Sequence, residues 1–257
     1  MAKVPGRVKV LADFHNHSCL SPCGSPEQSP AILARFARKK GINLLALTDH
    51  NSALNAPAFE ECCRREGLVP LFGMEASSRE EVHVLCLFAT AQAALDFGAE
   101  LLGYLPSLPY DSTSPDDQLV VDAEGLLIER AQHCFGACLD LGFDALCSLA
   151  DSRGALVIPA HVDRSFMSVG SQLGSLPRGP YAAVEALRPP PVSLKAGYTV
   201  ITGSDAHEPG AVGRRPFALS LPEGWRELEA SVLLEEVGLA LRRGQARPGW
   251  GIPGTTQ

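Results

Sequence analysis

Several features that would place a protein in a membrane or on a long nucleic acid are missing from this 257-residue sequence. No uninterrupted apolar stretch approaches the roughly 20 residues that span a bilayer, and residues 1–7 lack the apolar core of a signal peptide. There is no basic run, and the formal net charge is −7. We therefore expect a cytoplasmic protein with no membrane partner and no binding to long nucleic acid, because such binding depends on clustered basic side chains. A small phosphorylated substrate is compatible with this charge, since a local metal cluster can outweigh the mean field.

Disulfide bonds are also not expected, although the chain contains eight cysteines. The cysteines are scattered through helix-like and strand-like segments without an export signal, which is typical of reduced thiols in a cytoplasm. The sequence shows no internal repeat and no low-complexity segment. Its length suits one large α/β domain over residues 1–257, although two domains would also fit.

Two histidines follow the first apolar run of the chain. Residues 8–11 predict a short strand, and His15 and His17 come just after it at alternate positions. Residues two apart in a strand point to the same face, so we expect both imidazoles to leave the strand end together. The pattern alone is weak because it occurs by chance in many chains, but it can supply two nitrogen ligands to one metal ion.

Other histidines and acids that suit a metal site also lie at or just after apolar, strand-like runs. Six of the seven histidines fall in such places, which chance rarely produces. A salt bridge or a helix N-cap would explain Glu75 and Asp205, but a carboxylate that bridges two cations fits better because buried unpaired carboxylates are costly. Ligation by histidine and carboxylate suits Zn, Mn or Fe. The candidate metal ligands are His15, His17, His50, Glu75, His83, His161, Asp205 and His207.

Strand-like and helix-like segments alternate along the chain, which indicates an α/β fold. Ser29 and Pro30 predict the start of a helix that Gly41 ends, and the continuous apolar run 42–47 predicts a strand buried on both faces. Further helices are predicted at 56–66, 92–105, 143–153 and 228–243, and further strands at 68–72, 82–88, 155–159, 181–187 and 198–202. A (β/α) barrel with its site at the carboxyl ends of the strands explains ligands from six strands better than an open parallel sheet, which would gather them at one switch point.

Two segments interrupt this alternation. We expect residues 105–142 to form an excursion on the barrel rim, with a hairpin whose turn lies near Glu124 and Gly125. Within it, residues 129–140 resemble a helix, and His133 there is interpreted as a surface or packing residue. The second interruption is the loop 165–180, which is rich in glycine and proline, and the tail 247–257 is expected to be irregular.

Arg164 is the strongest candidate for contacting a substrate. It lies three residues after His161, and its forked guanidinium suits phosphate oxygens. A rim salt bridge with Asp163 is the alternative. Arg214 and Arg215 are weaker candidates of the same kind.

Several other residues near the candidate ligands have two interpretations each. Asn16 and Asn51 can orient ligands or substrate, or serve only in turns and caps. Asp49 can orient the region of the candidate ligand His50 without contacting the metal itself. Cys19 and Cys23 can bring a thiolate near a metal, but loop cysteines without a function are at least as common. The remaining cysteines are interpreted as packing residues on helices or strands: Cys62, Cys63, Cys86, Cys134, Cys138 and Cys147.

The motifs around the candidate ligands resemble those of the PHP (polymerase and histidinol phosphatase) superfamily over about residues 13–215. The matching segments are His15-Asn16-His17-Ser18, Thr48-Asp49-His50-Asn51, Gly73-Met74-Glu75, His83, Ala160-His161-Val162-Asp163-Arg164 and Gly203-Ser204-Asp205-Ala206-His207. The resemblance implies a single PHP-type domain, a distorted (β/α)7 barrel with a rim insertion, that holds two or three divalent metal ions and has phosphoesterase activity. It assigns one metal to His15, His17, Glu75 and Asp205, a second to Glu75, His83 and His161, and a third to His50 and His207.

One segment departs from the pattern of the family. Many stand-alone members carry an aspartate, in a Ser-Asp-Gly context, shortly after the first histidine pair, and this aspartate completes the third metal site. Here residues 21–24 read Ser-Pro-Cys-Gly, and no carboxylate precedes Glu27. Without this aspartate, three alternatives are open for the third metal: it is absent, its ligands are mainly water molecules, or Cys23 supplies one of its ligands.

The expected function is hydrolysis of a small phosphomonoester or a nucleotide-type phosphoester. Two cations about 3.5–4 Å apart can generate a bridging hydroxide that attacks phosphorus. Arg164 is expected to neutralise the phosphate, and His50 or His207 to lie near the leaving group as a metal ligand or an acid. Two alternatives stay open, namely a metal-dependent amide or lactone hydrolase of the same architecture and a non-catalytic regulatory module that binds metal.

Overall fold

The computed structural model describes residues 6–107 and 118–251, and within them strands and helices alternate along the chain. The strands are β1 Arg7–Asp13, β2 Leu44–Leu47, β3 Val69–Ser77, β4 His83–Phe88, β5 Leu119–Val121, β6 Leu127–Arg130, β7 Leu156–Pro159, β8 Val184–Glu185, β9 Val200–Ile201, β10 Phe217–Pro222 and β11 Ala246–Arg247. The helices are α1 Pro30–Lys39, α2 Ala56–Glu66, α3 Ala91–Leu101, α4 Phe143–Ser152, α5 Val169–Gln172, α6 Val192–Lys195 and α7 Ala230–Arg242. The part of the predicted rim excursion at 108–117 and the end of the predicted tail at 252–257 lie outside the described residues.

The bounds of the first two helices follow the capping residues of the sequence. The Ser29 side chain accepts a hydrogen bond from the Ile32 N–H at 3.4 Å, and Pro30 occupies the first helical position of α1. α2 ends at Gly67, whose φ of 68° is a left-handed value that glycine adopts at little steric cost. The predicted helix over residues 56–66 coincides with α2.

β2 is buried on both faces, as its continuous apolar run predicts. Leu45 and Leu47 belong to a core cluster that also contains residues of α1 to α4, whereas Leu44 and Ala46 belong to a second cluster with residues of β10 and α7. Burying a leucine side chain fully stabilises the fold by about 1.5–3 kcal/mol relative to leaving it exposed. The sheet is therefore covered on both sides in this region.

Seven strands form one curled sheet, with the shape of a half-barrel, in the order β11-β10-β1-β2-β3-β4-β7. β8 and β9 form a separate parallel pair that continues the curl. One end of this pair is joined to β7 by a bridge between Tyr181 and Val157, and the other to the end of β1 by a bridge between Ala206 and Asn16. The strands β1, β2, β3, β4, β7, β8 and β9 thus follow one another around a distorted seven-stranded barrel, and the predicted α/β barrel class is confirmed.

The sheet is mixed, in contrast to the all-parallel arrangement of a regular (β/α) barrel. β1, β2 and β3 run parallel, but β4 is antiparallel to both β3 and β7. β10, which was not predicted, pairs antiparallel with β1 from Ala12 and Phe217 to Arg7 and Pro222. This strand follows a turn instead of a helix, so it lies outside the alternation on which the sequence-based prediction depended.

The predicted hairpin is present in the segment 118–142, but the predicted helix over 129–140 is wrong. β5 and β6 pair on either side of a turn in which Gly125 has a φ of 82°. β6 ends at Arg130, and turns follow it. His133 therefore lies in an irregular segment, where its carbonyl accepts a hydrogen bond from the side chain of Gln118 at 2.8 Å. Side chains of the barrel hold this segment in place and remove the need for helical hydrogen bonds.

The cysteines are free thiols, as predicted. Cys62, Cys63 and Cys147 are buried on helices, and Cys86 is buried in β4. Cys134 and Cys138 follow β6 in turns, which corrects their predicted helical position. In the described ranges, no helix has the length and the apolar character needed to traverse a bilayer.

Asn55 is a buried amide that joins the barrel to β5. Its Nδ2 donates to the carbonyl of Leu119 at 3.1 Å and to Ser18 Oγ at 2.9 Å, and its Oδ1 accepts from the Val121 N–H at 3.0 Å. The Asn55→Ala variant is expected to lose about 2–3 kcal/mol of unfolding free energy, because it leaves buried backbone groups unpaired. Urea denaturation monitored by circular dichroism measures this loss.

A matched control is Gln92→Ala, which removes an exposed amide that donates to Asp96 at 2.8 Å. Its unfolding free energy is expected to change by less than about 0.5 kcal/mol. Equal losses in the two variants would contradict the role given to Asn55.

Candidate metal centre

The carboxylate of Glu75 lies at the centre of a histidine cluster and is 1% exposed in β3. Around Oε1 are His83 Nδ1 at 2.8 Å, His161 Nε2 at 2.9 Å and His15 Nε2 at 3.2 Å, and around Oε2 are His17 Nε2 and His50 Nδ1, each at 3.3 Å. The two oxygens thus face two different sets of nitrogen atoms. A carboxylate in this position can bridge two cations.

Asp205 supplies the second carboxylate of the cluster. Its Oδ1 lies 3.4 Å from both His15 Nε2 and His17 Nε2 and 3.5 Å from His207 Nδ1. The structure therefore brings all eight residues that the sequence suggested as ligands into one cluster.

The strand directions explain why residues so distant in sequence meet. His15 and His17 follow the carboxyl end of β1, and His50 follows that of β2, its parallel neighbour. His83 is the first residue of β4, which is antiparallel to β3, so its amino end lies beside Ser77 at the carboxyl end of β3. One rim of the barrel consequently collects every candidate ligand.

Several central atoms of the cluster are buried without a hydrogen-bond partner. Within the described residues, His15 Nε2, His17 Nε2, His50 Nδ1 and Asp205 Oδ1 are buried without a hydrogen-bond partner. Such burial is costly when nothing else binds the atoms. Two ligands that are each about 2.1 Å from one ion lie about 3.0–3.4 Å apart, and the separations here are 3.2–3.4 Å. The donor set therefore fits divalent metal ions.

Three groups of ligand atoms are compact, with all atoms of a group within 4.8 Å of one another. The groups are His15, His17, Glu75 and Asp205; then His50, Glu75 and His83; and finally His17, His50 and His207. The first group has the composition that the resemblance implied. In the second, His50 takes the place expected for His161, which contacts Glu75 from another direction.

The electrostatics of the cluster keep its carboxylates ionised. Burial alone would raise the pKa of Glu75 and Asp205, but the surrounding histidines hold the pKa of both carboxyls well below the usual range. The ionised forms are the ones that bind cations. The cluster therefore offers two negative charges to a metal at neutral pH.

The histidines divide into two kinds. Burial lowers the pKa of His50 well below its usual value, and burial together with His17 lowers the pKa of His207 to about 4, so both rings are neutral at pH 7. Against the effect of burial, the carboxylates raise the pKa of His15 well above its usual value and that of His17 to about 9. Metal binding must therefore displace protons from His15 and His17.

Glu185, in β8, orients His15 and was not identified from the sequence. Its Oε2 lies 2.8 Å from His15 Nδ1, and both side chains are fully buried. A carboxylate only accepts here, so Nδ1–H donates and Nε2 faces Glu75 and Asp205. The contact requires glycine at position 203, because a Cβ there would lie 2.6 Å from both His15 Cβ and Glu185 Oε2. Glu185 lies inside the apolar segment 181–187. This is the same sequence signal that indicates Glu75, so it could have identified Glu185 as well.

A second buried carboxylate, Asp49, supports His17. The Ser21 hydroxyl lies 2.9 Å from His17 Nδ1 and donates to Asp49 Oδ1 at 2.7 Å. The same Ser21 oxygen accepts from the His50 N–H at 3.1 Å, and Asp49 also accepts from the Ser18 N–H at 2.6 Å. Asp49 thus orients His17 through Ser21, which was not predicted from the sequence.

Strained backbone is also present at the site. Asn51, His161 and Asp205 have φ values of 48°, 28° and 48°, which residues with a Cβ rarely adopt. Such conformations cost about 1–3 kcal/mol each and persist where the surroundings determine them strongly. The strain sets the directions in which two candidate ligands leave the chain.

The cluster opens into a cavity of about 360 Å³ that is lined by Pro22, Cys23, His50, Glu75, His83, Gly136, Arg164, Met167, Asp205 and His207. Cys23, from the segment 21–24, thus borders this cavity. The residue as a whole is exposed, but partial removal of its thiol from water and the charge of Glu75 raise the pKa of the thiol to about 12. The nearby group of His17, His50 and His207 consists of nitrogen atoms only.

Arg164 lies on the rim of this cavity. Its Nη1 is 3.4 Å from Asp205 Oδ2, and its side chain is 26% exposed. The alternative partner, Asp163, instead accepts from the N–H groups of Leu187 and Arg188 at 2.7 and 2.9 Å. Arg164 is therefore directed toward the candidate metal site.

The weaker candidates have structural contacts. The Arg214 and Arg215 guanidinium groups donate to backbone carbonyls in the 203–205 segment. Asn16 donates to the carbonyls of Asp13 and Ala46, and Asn51 donates to those of Phe135 and Ala137. These contacts hold the strand ends and the segment 118–142 around the cluster.

A sequence model of the PHP domain family matches residues 13–149, which is more than half of the chain. The chain belongs to the PHP domain family. This membership agrees with the resemblance seen in the sequence. The cluster of histidines and carboxylates described above could hold the metal ions of such a domain.

Solved structures of similar fold include the lesion-specific endonuclease Q of Pyrococcus furiosus, with 20% identity, a TM-score of 0.66, and coverage of 94% of this chain and 58% of the endonuclease. Another is a two-domain Bacteroides vulgatus protein that contains a predicted PHP-like metal-dependent phosphoesterase, with 16% identity, a TM-score of 0.53, and coverage of 96% and 67%. At these identities the likeness concerns the fold.

A sequence relative is the DNA polymerase III subunit alpha of Helicobacter pylori, with 32% identity over 90 residues. The match covers 31% of this chain and 7% of the subunit, so the chain corresponds to a small part of that relative.

The expectation that long nucleic acid is excluded as a partner is wrong. Endonuclease Q has also been solved with a 27-residue duplex substrate that carries an abasic lesion at the active site, and this chain matches that structure with a TM-score of 0.65, 19% identity, and coverage of 92% of this chain and 57% of the endonuclease. The sequence relative is a DNA polymerase subunit. Net charge is an average over the whole surface and does not describe the local field at a site that holds cations.

The position of Glu75 between two sets of nitrogens predicts that its charge is needed for metal binding. Glu75→Gln keeps the side-chain shape but removes this charge, so the variant is expected to lose most of the divalent metal that co-purifies without chelator. Inductively coupled plasma mass spectrometry measures the content. Glu124→Gln, at an exposed carboxylate that pairs with Arg65, is the control and should retain its metal. Equal metal content in the two variants would refute the bridging role.

The contact between Glu185 and His15 predicts a weaker effect. Glu185→Gln is expected to lower metal affinity by about 10- to 100-fold, because the ring of His15 loses its charged hydrogen-bond partner. Competition with a chelating dye measures the affinity. Glu100→Gln, which alters a surface contact with Arg153, serves for comparison. An unchanged affinity in Glu185→Gln would show that Glu185 does not support the metal site.

Proposed function

We propose that this protein is a metal-dependent phosphoesterase that hydrolyses phosphodiester bonds in nucleic acid. The observation that carries the proposal is the central position of Glu75, whose carboxylate belongs to two compact groups of donor atoms, one with His15, His17 and Asp205 and one with His50 and His83. A site for two neighbouring cations is suited to phosphoryl transfer, in which charge must be stabilised on attacking and leaving oxygens.

The ligands of the site are proposed from the compact groups of donor atoms. His15, His17, Glu75 and Asp205 would hold one ion, and Glu75 with His50 and His83 another. His161 faces Glu75 Oε1 and would complete the second set. Such ions, when bound, act as Lewis acids and lower the pKa of water. Mn, Zn and Fe all suit this donor set.

The protein's own residues fix the geometry of the reaction. Glu185 holds His15, and Ser21 holds His17, so that both Nε2 atoms point to the same place. His50 and His207 are neutral at pH 7 because of their lowered pKa values. We therefore assign them as ligands near the leaving group and not as proton donors.

Arg164 is proposed to bind the phosphate of the substrate. Its guanidinium lies at the mouth of the cavity beside Asp205, and it carries a positive charge that can be shared between Asp205 and a phosphate oxygen. A planar donor at this place would stabilise the charge that develops on the phosphoryl oxygens.

One structure of similar fold and one sequence relative support nucleic acid as the substrate class. Endonuclease Q acts on DNA, and the sequence relative is a subunit of a DNA polymerase. Local positive charge from bound cations and Arg164 can offset the acidic net charge at the site. A screen of metal-loaded protein on oligonucleotides, nucleotides and small phosphomonoesters tests this class directly.

The role of Arg164 predicts a selective loss of activity. Arg164→Ala is expected to lower kcat/KM on an oligonucleotide substrate by about 10²–10³-fold, because one charged donor to the phosphoryl group is lost. Arg79→Ala, which removes an exposed arginine that contacts Asp140, should have unchanged activity. Steady-state cleavage of a labelled oligonucleotide measures the rates.

The same pair of variants distinguishes acyl hydrolysis. Hydrolysis of an amide or lactone would not depend strongly on a phosphate-binding arginine, so comparable rates of Arg164→Ala and unaltered protein on acyl substrates, with none on phosphoesters, would overturn the proposal. Inactivity of the metal-replete protein on every ester, together with retained metal, would favour a regulatory module that only binds metal.

A further inference from the structure

Phe166 is a large aromatic residue that lies unusually open to solvent next to the candidate metal site. It is 51% exposed and stands two residues after Arg164. The Arg164 guanidinium carbon lies 4.1 Å from the centroid of its ring. This stack holds the phosphate-binding arginine and an aromatic ring together as one unit.

Cavities on both sides of Arg164 extend the central cavity into a groove. One, of about 590 Å³, is lined by Asp163, Arg164, Ser165, Gly170, Ser171, Arg188, Pro189, Pro191 and Leu194. Another, of about 510 Å³, is lined by Cys23, Gly24, Ser25, Arg164, Asp205, His207, Glu208, Ala211 and Arg214. Arg164 is a wall of all three cavities. A single phosphomonoester needs only the central one, whereas a polymer needs space on both sides of the bond that is cleaved.

The ring of Phe166 is linked to these cavities by its contact with Arg164, which lines all of them. The residue before Phe166, Ser165, lines the 590 Å³ cavity, and the residue after it, Met167, lines the central one. A group bound against Arg164 on the side of Ser165 and Arg188 is therefore near the Phe166 ring, which the Arg164 guanidinium contacts. The ring is apolar and flat, so the group that suits it is flat as well.

The charges along this part of the groove suit a polyanion. Arg164 and Arg188 both line it. The acidic residue there, Asp163, already accepts two backbone N–H groups, from Leu187 and Arg188. The 510 Å³ cavity is less basic, because Glu208 lines it together with Arg214.

We propose that Phe166, braced by Arg164, is a stacking platform for an unpaired nucleobase adjacent to the phosphodiester that the metal centre cleaves. The proposal rests on the proposed phosphoesterase function and narrows its substrate class to nucleic acid that is single-stranded or unpaired at this position. A base inside a duplex has both faces covered by its neighbours, whereas an unpaired base offers a face to an aromatic side chain. Arg164 would then contact the phosphate while Phe166 contacts the base of the same nucleotide.

The test is equilibrium binding, which does not require turnover. Fluorescence anisotropy of a labelled oligothymidylate of about 12 nucleotides is measured with Phe166→Ala, Phe166→Leu and Phe166→Trp, each in EDTA so that the probe is not cleaved. Phe166→Ala and Phe166→Leu are expected to raise Kd by roughly 5- to 100-fold, and Phe166→Trp to leave it unchanged or lower it, because stacking needs an aromatic face. Val232→Ala, at an apolar α7 residue that is 43% exposed, is the matched control and should bind as the unaltered protein does.

An abasic oligonucleotide of the same length separates stacking from other effects. It has the same phosphates but no bases, so Phe166→Ala and the unaltered protein should bind it equally. An unchanged Kd of Phe166→Ala for oligothymidylate would overturn the proposal, as would an equal loss for the abasic chain or the absence of oligonucleotide binding by the unaltered protein.

Failure of the proposed function gives a different result. If the unaltered protein binds oligothymidylate through Phe166 but cleaves no phosphoester when loaded with Mn²⁺, the stacking platform stands and the phosphoesterase assignment falls. If the unaltered protein cleaves small phosphoesters but Phe166 has no effect on oligonucleotide binding, the phosphoesterase assignment stands and the stacking platform falls.

Discussion

The attraction between one buried carboxylate and the imidazoles around it is the interaction on which the rest of the site depends. Glu75 is almost completely buried, and burial alone would favour its neutral form. The histidines around it reverse this preference and keep it ionised. Several ligand atoms are nevertheless left without hydrogen-bond partners, which is consistent with a cluster that is completed by cations.

A second layer of buried polar groups holds these ligands in direction. Glu185 fixes one imidazole and Asp49, through Ser21, another. Gly203 leaves the space that the first of these contacts needs. Arg214 and Arg215 bind the carbonyls of the neighbouring segment. A ligand set that is oriented before metal arrives loses less conformational entropy on binding, which is the advantage of building the site on strand ends.

Chemistry and substrate access are separated along the rim. The imidazoles and carboxylates form the closed end of the cavity, and Arg164 lies where that cavity meets its two neighbours. The net charge of −7 describes none of this, because it averages over a surface most of which a substrate does not touch. For that reason composition led to a wrong exclusion of nucleic acid, although the same sequence contained the arginine that lines all three cavities and the aromatic residue that it contacts.

Local signals in the sequence were sufficient for much of the architecture. Caps and apolar periodicity predicted α1, α2 and the two-sided burial of β2 correctly, because these depend on residues close together in the chain. They could not predict β10, whose pairing with β1 joins distant segments, and they suggested a helix at 129–140, where buried amides such as Asn51 bind the backbone instead. The candidate ligands were recognisable by residue type and by their places after apolar runs. Their grouping, the support from Glu185 and the meeting of three cavities at Arg164 were decided only by the tertiary structure. A contact between distant residues depends on strand order and direction, which no local pattern encodes.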